Sequence, residues 1–175
     1  MNPEHATPEV VVFGSLNMDL VFRVPRVPDA GETLQARSFM SNPGGKGANQ
    51  AVACARQGAC VAMVGRVGDD AFGLALKASL EADGVDARHV ATDAASTGVA
   101  LIMVDDGAQN RIALSPGANA SVGSEDIGRL RSALAAARSV PLQPEVPMPA
   151  VCEAAAIAHA AGCTVVLNPA PAQPL

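Results

Sequence analysis

Pro43-Gly44-Gly45-Lys46-Gly47-Ala48-Asn49-Gln50-Ala51-Val52-Ala53-Cys54 passes from turn chemistry to helix chemistry within five residues. Three glycines let the backbone take positive φ and approach a ligand closely. From Ala48 to Gln57 the pattern is helical, with Ala51, Cys54 and Ala55 on one face and Gly58 as the stop. A helix entered through such a turn presents N–H groups and the positive end of its dipole there, which favours oxygen-rich or anionic ligands. Lys46 and Asn49 add side-chain donors at the same place.

Upstream, Val10 to Phe13 is an unbroken apolar run ending at Gly14-Ser15, as in a buried parallel strand followed by a loop. Downstream the same unit recurs. Cys60 to Val64 reads as a buried strand, Gly68-Asp69-Asp70 as helix caps and Ala71 to Ala82 as a helix. Ser124 caps a helix running to about Arg138, Pro149 starts another that ends near Gly162, and Cys163 to Leu167 is one more buried strand. This alternation predicts an α/β layer with a mostly parallel sheet. Two half-polar strand pairs fall outside it. Asp19 to Val24 with Thr33 to Met40, and Thr97 to Val104 with Asn110 to Ser115 around Asp105-Asp106-Gly107, predict a small separate sheet inserted at 19–40 and 97–115 as a flap.

The 175 residues carry 12 basic and 17 acidic side chains, a net charge of −5, which makes a nucleic-acid phosphate backbone a poor partner. Four Phe, with no Trp or Tyr, offer no stacking platform for single strands. No apolar run approaches membrane-spanning length, and Met1 to Pro8 lacks a secretory h-region, so a cytoplasmic protein is expected. Cys54, Cys60, Cys152 and Cys163 lie in apolar stretches without metal-ligand spacing and read as buried thiols in a reducing compartment.

There is neither a G-x-x-x-x-G-K-[ST] loop nor a G-x-G-x-x-G fingerprint, so neither standard nucleotide motif explains the glycines. Gly14-Ser15-Leu16-Asn17-Met18-Asp19 follows the first strand, at the carboxyl end where open α/β sheets bind ligands. Asn17 and Asp19 are two apart and point the same way on an extended chain. A carboxylate accepting from neighbouring hydroxyls, beside an amide that donates and accepts, suits a polyol or sugar.

Gly44-Gly45-Lys46-Gly47-Ala48-Asn49-Gln50-Ala51, with Gly58 and Gly68 at further fixed spacings, resembles the ribokinase branch of the PfkB carbohydrate kinase family. The stretches "GSLNMD", "GRVGDDAFG", "STGVALIMVD", "QNRIALSPGAN" and "LNPAPA" extend the resemblance from about Val10 to the last residue. It implies a three-layer αβα sandwich with a small β-sheet lid. It also implies sugar contacts from Asn17, Asp19, Gly44, Gly45, Lys46 and Asn49, and from Glu145 in the segment Pro141-Leu142-Gln143-Pro144-Glu145. That segment departs from the family's Gln-Leu-Glu at Pro144, and Pro141 falls within the expected strand, where it cannot donate to a ladder.

The implied activity is transfer of phosphate from ATP to a sugar, D-ribose to ribose 5-phosphate, with ATP, Mg2+ and a monovalent cation such as K+ as cofactors. A homodimer formed through the lid is implied as well. The family's Gly-Ala-Gly-Asp motif, with its general base, and most of the ATP pocket have no counterpart in these residues, so the C-terminal half is expected to be missing. The alternative is a non-catalytic remnant that binds sugar weakly or self-associates.

Overall fold

A computed structural model describes residues 7–172. Its strands in chain order are β1 (Val10–Phe13), β2 (Asn17–Arg23), β3 (Ser38–Gly44), β4 (Val61–Gly68), β5 (Val85–Asp86), β6 (Val90–Asp93), β7 (Gly98–Val104), β8 (Asn110–Ser115), β9 (Ser139–Leu142) and β10 (Thr164–Leu167). The helices are α1 (Lys46–Arg56), α2 (Ala71–Ala82), α3 (Ser124–Ala133) and α4 (Met148–Ala160).

The main sheet is parallel throughout, in the order β10-β9-β1-β4-β5, with β6 pairing the far end of β4. The pleat of β1 and β4 sets up its two faces. Val11, Phe13, Ala62 and Val64 pack with Ile127, Leu130, Val151 and Ala154 of α3 and α4. Val12, Val61 and Met63 pack with Ala48, Ala51, Leu76 and Leu80 of α1 and α2. Apolar runs buried on both faces therefore make the expected three layers, α/β/α.

The expected second sheet is four-stranded, ordered β3-β2-β7-β8. Its outer pairs are antiparallel, and β2 runs parallel to β7. Asp70 ties this sheet to the main body. Its carboxylate caps α2 by accepting from Gly73 N–H at 2.8 Å, and also accepts from Thr97 N–H and Oγ1, each at 2.7 Å, where β7 begins.

Several local expectations shift. The strand expected at Thr33 to Met40 lies at Ser38–Gly44, because the ladder to β2 runs from Arg23↔Ser38 to Asn17↔Gly44. Leu34 and Ala36 instead belong to a loop lining an apolar hollow with Phe22, Val24, Leu101 and Met103. The cap of α3 is Gly123 rather than Ser124. The Asp126 carboxylate accepts from Gly123 N–H, where negative charge complements the helix dipole. Of the cysteines, Cys163 is buried, Cys54 and Cys60 are partly buried, and Cys152 is exposed on α4.

The short strands β5 and β6 have no counterpart in the sequence reading. Pro141 does lie in an interior strand. The ladder from β9 to β10 is continuous, whereas that to β1 has partners only at Val10↔Ser139 and Phe13↔Leu142, on either side of the proline. Among the described residues, no helix is long and apolar enough to cross a membrane.

Candidate functional site

Beyond the carboxyl ends of β1 and β9, under the second sheet, lies a cleft of about 310 Å³. Its polar wall is Asn17, Asp19, Gly45, Lys46, Asn49 and Glu145; its apolar wall is Ala100, Ile102, Ile112 and Leu114 of β7 and β8. Six of the seven candidate residues thus meet in one place, from three separate segments of chain.

Gly44, the seventh, lines a neighbouring cavity between α1 and α2 with Asn49, Arg56, Leu76 and Asp83. Its contribution to the cleft is space. A Cβ at position 44 would fall 2.3 to 2.6 Å from the three carboxylate atoms of Asp19. Gly45 has φ +91°, and a Cβ there would meet the backbone of Ser15, Leu16 and Asn17 at 2.7 to 2.9 Å. The turn thus needs glycine both for its conformation and for the close approach of the loop after β1.

The start of α1 does not present free N–H groups to a ligand, contrary to the expectation from sequence. Lys46 N–H donates to Glu145 Oε2 at 3.0 Å, Gly47 N–H to Ser15 Oγ at 3.3 Å, and Ala48 N–H to the Ser15 carbonyl at 3.0 Å. The anion at this helix terminus is Glu145 itself. It also accepts from Ser15 Oγ at 2.5 Å and from Lys46 Nζ at 2.7 Å. Its side chain is only 8% exposed, against 37% for Lys46. Burial pushes the Glu145 carboxyl up, but the bonds from Lys46 and Ser15 outweigh it and hold it below the ordinary glutamate range.

Asp19 has the opposite balance. Burial and then the nearby charge of Glu145 raise its pKa, and Lys46 only partly offsets them. The cleft thus holds one carboxylate satisfied within the protein and another with unmet demand for donors, which is suited to hydroxyl groups.

Asn17 is 3% exposed, and its Oδ1 accepts from Asn119 Nδ2 at 2.8 Å. Its own Nδ2 is therefore the end offered to the cleft. Sequence reading assigns no role to Asn119, Ser15 or Leu114. Asn119 stands in the quoted stretch "QNRIALSPGAN", but nothing local connects it to a loop 102 residues earlier. Pro144 does not displace Glu145. Next to it, Gln143 is fully buried, with Nε2 donating to Gln50 Oε1. Among the described residues, no cluster of His, Cys, Asp and Glu could hold a metal ion.

The profile described as pfkB family carbohydrate kinase matches residues 7–175. The chain is similar to the ribokinase of Schizosaccharomyces pombe, 43% identical over 173 residues, covering 95% of this chain and 54% of that protein. It is also similar to the deoxyribokinase of Salmonella typhi, 39% identical over 165 residues and covering 94% and 54%. A solved structure of Arabidopsis thaliana ribokinase complexed with ribose and ATP superposes with a TM-score of 0.81. It is 33% identical and is matched over 93% of this chain and 53% of that one. The chain therefore spans about half the length of the relatives it matches.

Proposed function

From the premise that the chain belongs to the pfkB family of carbohydrate kinases, we propose that the cleft binds a pentose, D-ribose, as the acceptor in ATP-dependent phosphorylation to ribose 5-phosphate. The observation that carries this reading is the convergence of Asn17, Asp19, Gly45, Lys46, Asn49 and Glu145 on one cleft. About 310 Å³ is at the small end of ligand pockets and has room for a five-carbon sugar. Asp19 accepts from a pair of sugar hydroxyls, while Asn17 Nδ2 and Lys46 Nζ donate to hydroxyl oxygens. Ala100, Ile102, Ile112 and Leu114 cover the ring's apolar face, so the second sheet acts as a lid. Several charge-assisted bonds in a partly dewatered cleft supply both affinity and orientation.

The described residues do not fit ATP or Mg2+. They carry neither nucleotide motif nor a metal-holding cluster. The contribution assigned to these residues is to bind the sugar, orient its terminal hydroxyl and shield it, in the cytoplasm. Pairing of two copies through the lid is part of the same reading. It is supported by the exposed apolar residues Phe39 and Met40 on that sheet.

Calorimetric titration of the 175-residue chain with D-ribose and 2-deoxyribose, alongside Asp19→Ala, tests the proposal. Each hydrogen bond to a charged group is worth about 1.5–3 kcal/mol, so losing the pair that Asp19 accepts is expected to weaken ribose binding at least about 100-fold. Equal affinity for the two proteins would remove Asp19 from the site. Preference for deoxyribose would overturn ribose as the acceptor.

A further inference from the structure

The amide of Asn17 has an oxygen end and a nitrogen end of nearly the same shape, and only their partners decide which end faces the cleft. The partner here is Asn119. It is 1% exposed and stands on a 3₁₀ turn, Gly117–Ser121, between β8 and α3. Its single carboxamide makes three bonds. Oδ1 accepts from Leu16 N–H at 3.0 Å, while Nδ2 donates to the Leu16 carbonyl at 2.9 Å and to Asn17 Oδ1 at 2.8 Å. Both donors are committed, so rotating the Asn17 amide would set one NH2 against another.

The position is tightly held. A Cβ at Gly98 would fall 2.2 Å from Asn17 Oδ1 and 2.4 Å from Asn119 Nδ2. The turn is anchored by Ala118 N–H on the Ser96 carbonyl at 2.8 Å. Asn17 is also the residue at which β2 pairs with both Gly44 of β3 and Gly98 of β7.

We infer that Asn119 is a positioning residue that sets the polarity of the sugar site by holding the Asn17 amide with its nitrogen toward the cleft. This rests on the sugar-binding reading and deepens it. The site then donates at Asn17 and accepts at Asp19, so adjacent sugar oxygens must be read as acceptor and donor respectively. Asn119 acts only through Asn17, without touching the sugar.

Asn119→Asp tests this. The introduced carboxylate still accepts from Leu16 N–H but has nothing to donate to Asn17. The Asn17 amide then turns its nitrogen to that carboxylate and its oxygen to the cleft. Ribose affinity is expected to fall about tenfold. In an Asn17→Ala background the same substitution should change affinity less than about twofold, because the two residues act as one unit. An equal loss in both backgrounds would overturn the inference.

A ligand-free readout separates this from the sugar reading. In proton–nitrogen correlation spectra the Asn17 side-chain amide should shift and exchange more slowly in Asn119→Asp; an unchanged Asn17 resonance would overturn the inference even if ribose proves not to bind. Should Asn119→Asp not fold, the wild-type spectrum decides. Slow exchange of the Asn119 amide protons supports the clamp, and exchange at the rate of an exposed amide refutes it.

Discussion

Glu145→Gln isolates the anion at the start of α1. The substitution keeps the shape and removes the charge. In the wild type the carboxylate takes three bonds, from Ser15 Oγ, Lys46 N–H and Lys46 Nζ. The amide oxygen can still accept two of them, now as neutral bonds, each weaker by about 1 kcal/mol. The Nζ bond is lost, because the amide's NH2 faces an ammonium. Lys46 is 37% exposed, however, and regains water, so that loss costs only about 0.5–1 kcal/mol. The sum is about 2–3 kcal/mol, or a fall in Tm of roughly 5–10 °C for a chain of this size.

The dependence on pH gives the sharper assay. The folded-state pKa of Glu145 lies below its unfolded value of about 4.3, so its contribution is present above that value and lost as pH falls through the folded pKa. Urea denaturation at a series of pH values should show wild type and Glu145→Gln separated by a constant amount above about pH 5 and converging on acidification. Equal stability at neutral pH, or a gap unchanged down to about pH 3, would refute the role of Glu145 as the helix's anion.

Asp19→Asn should have the reverse effect on stability. Burial and Glu145 raise the Asp19 pKa, so the folded state favours its protonated form at low pH and loses that benefit as pH rises through the folded pKa. Thermal melts at neutral pH should therefore show Asp19→Asn more stable than wild type, while calorimetry shows weaker ribose binding; a lower Tm would contradict this. Gly44→Ala is expected to displace the Asp19 carboxylate and weaken ribose binding at least tenfold with the far-ultraviolet dichroism unchanged, since its Cβ would lie 2.3 Å from Asp19 Oδ2. Arg66→Met should cost about 1.5–3 kcal/mol in urea denaturation, because buried Asp126 keeps its bonds from Arg129 and Gly123 N–H. Arg66 is 13% exposed and bonds Asp126, which is fully buried, and Asp93 and Glu125, so a loss below about 1 kcal/mol would show that the cluster adds nothing to stability.

What the sequence determined by itself was whatever depends on near neighbours. The apolar run Val10–Phe13, the Asp70 cap, the hairpin of β7 and β8, and the glycine turn before α1 are set by side-chain period and by residues that favour turns. Asn17 and Asp19 were legible as a pair pointing the same way, and both line the cleft, for the same reason: they are two apart on a strand that follows the carboxyl end of β1. The tertiary structure decided the rest. The position of β3 came from its ladder to β2 rather than from the alternation at Leu34 and Ala36. At the cleft Gly44 proved to be space for Asp19 rather than part of the lining.

The use of α1's first N–H groups was settled by Glu145, 99 residues away, and the orientation of Asn17 by Asn119, 102 residues away. A buried donor or acceptor requires some partner, and local pattern says only that the requirement exists. Which partner arrives depends on how the layers pack, and in this protein that choice makes Glu145 the helix's own anion and leaves Asp19 as the carboxylate open to a ligand.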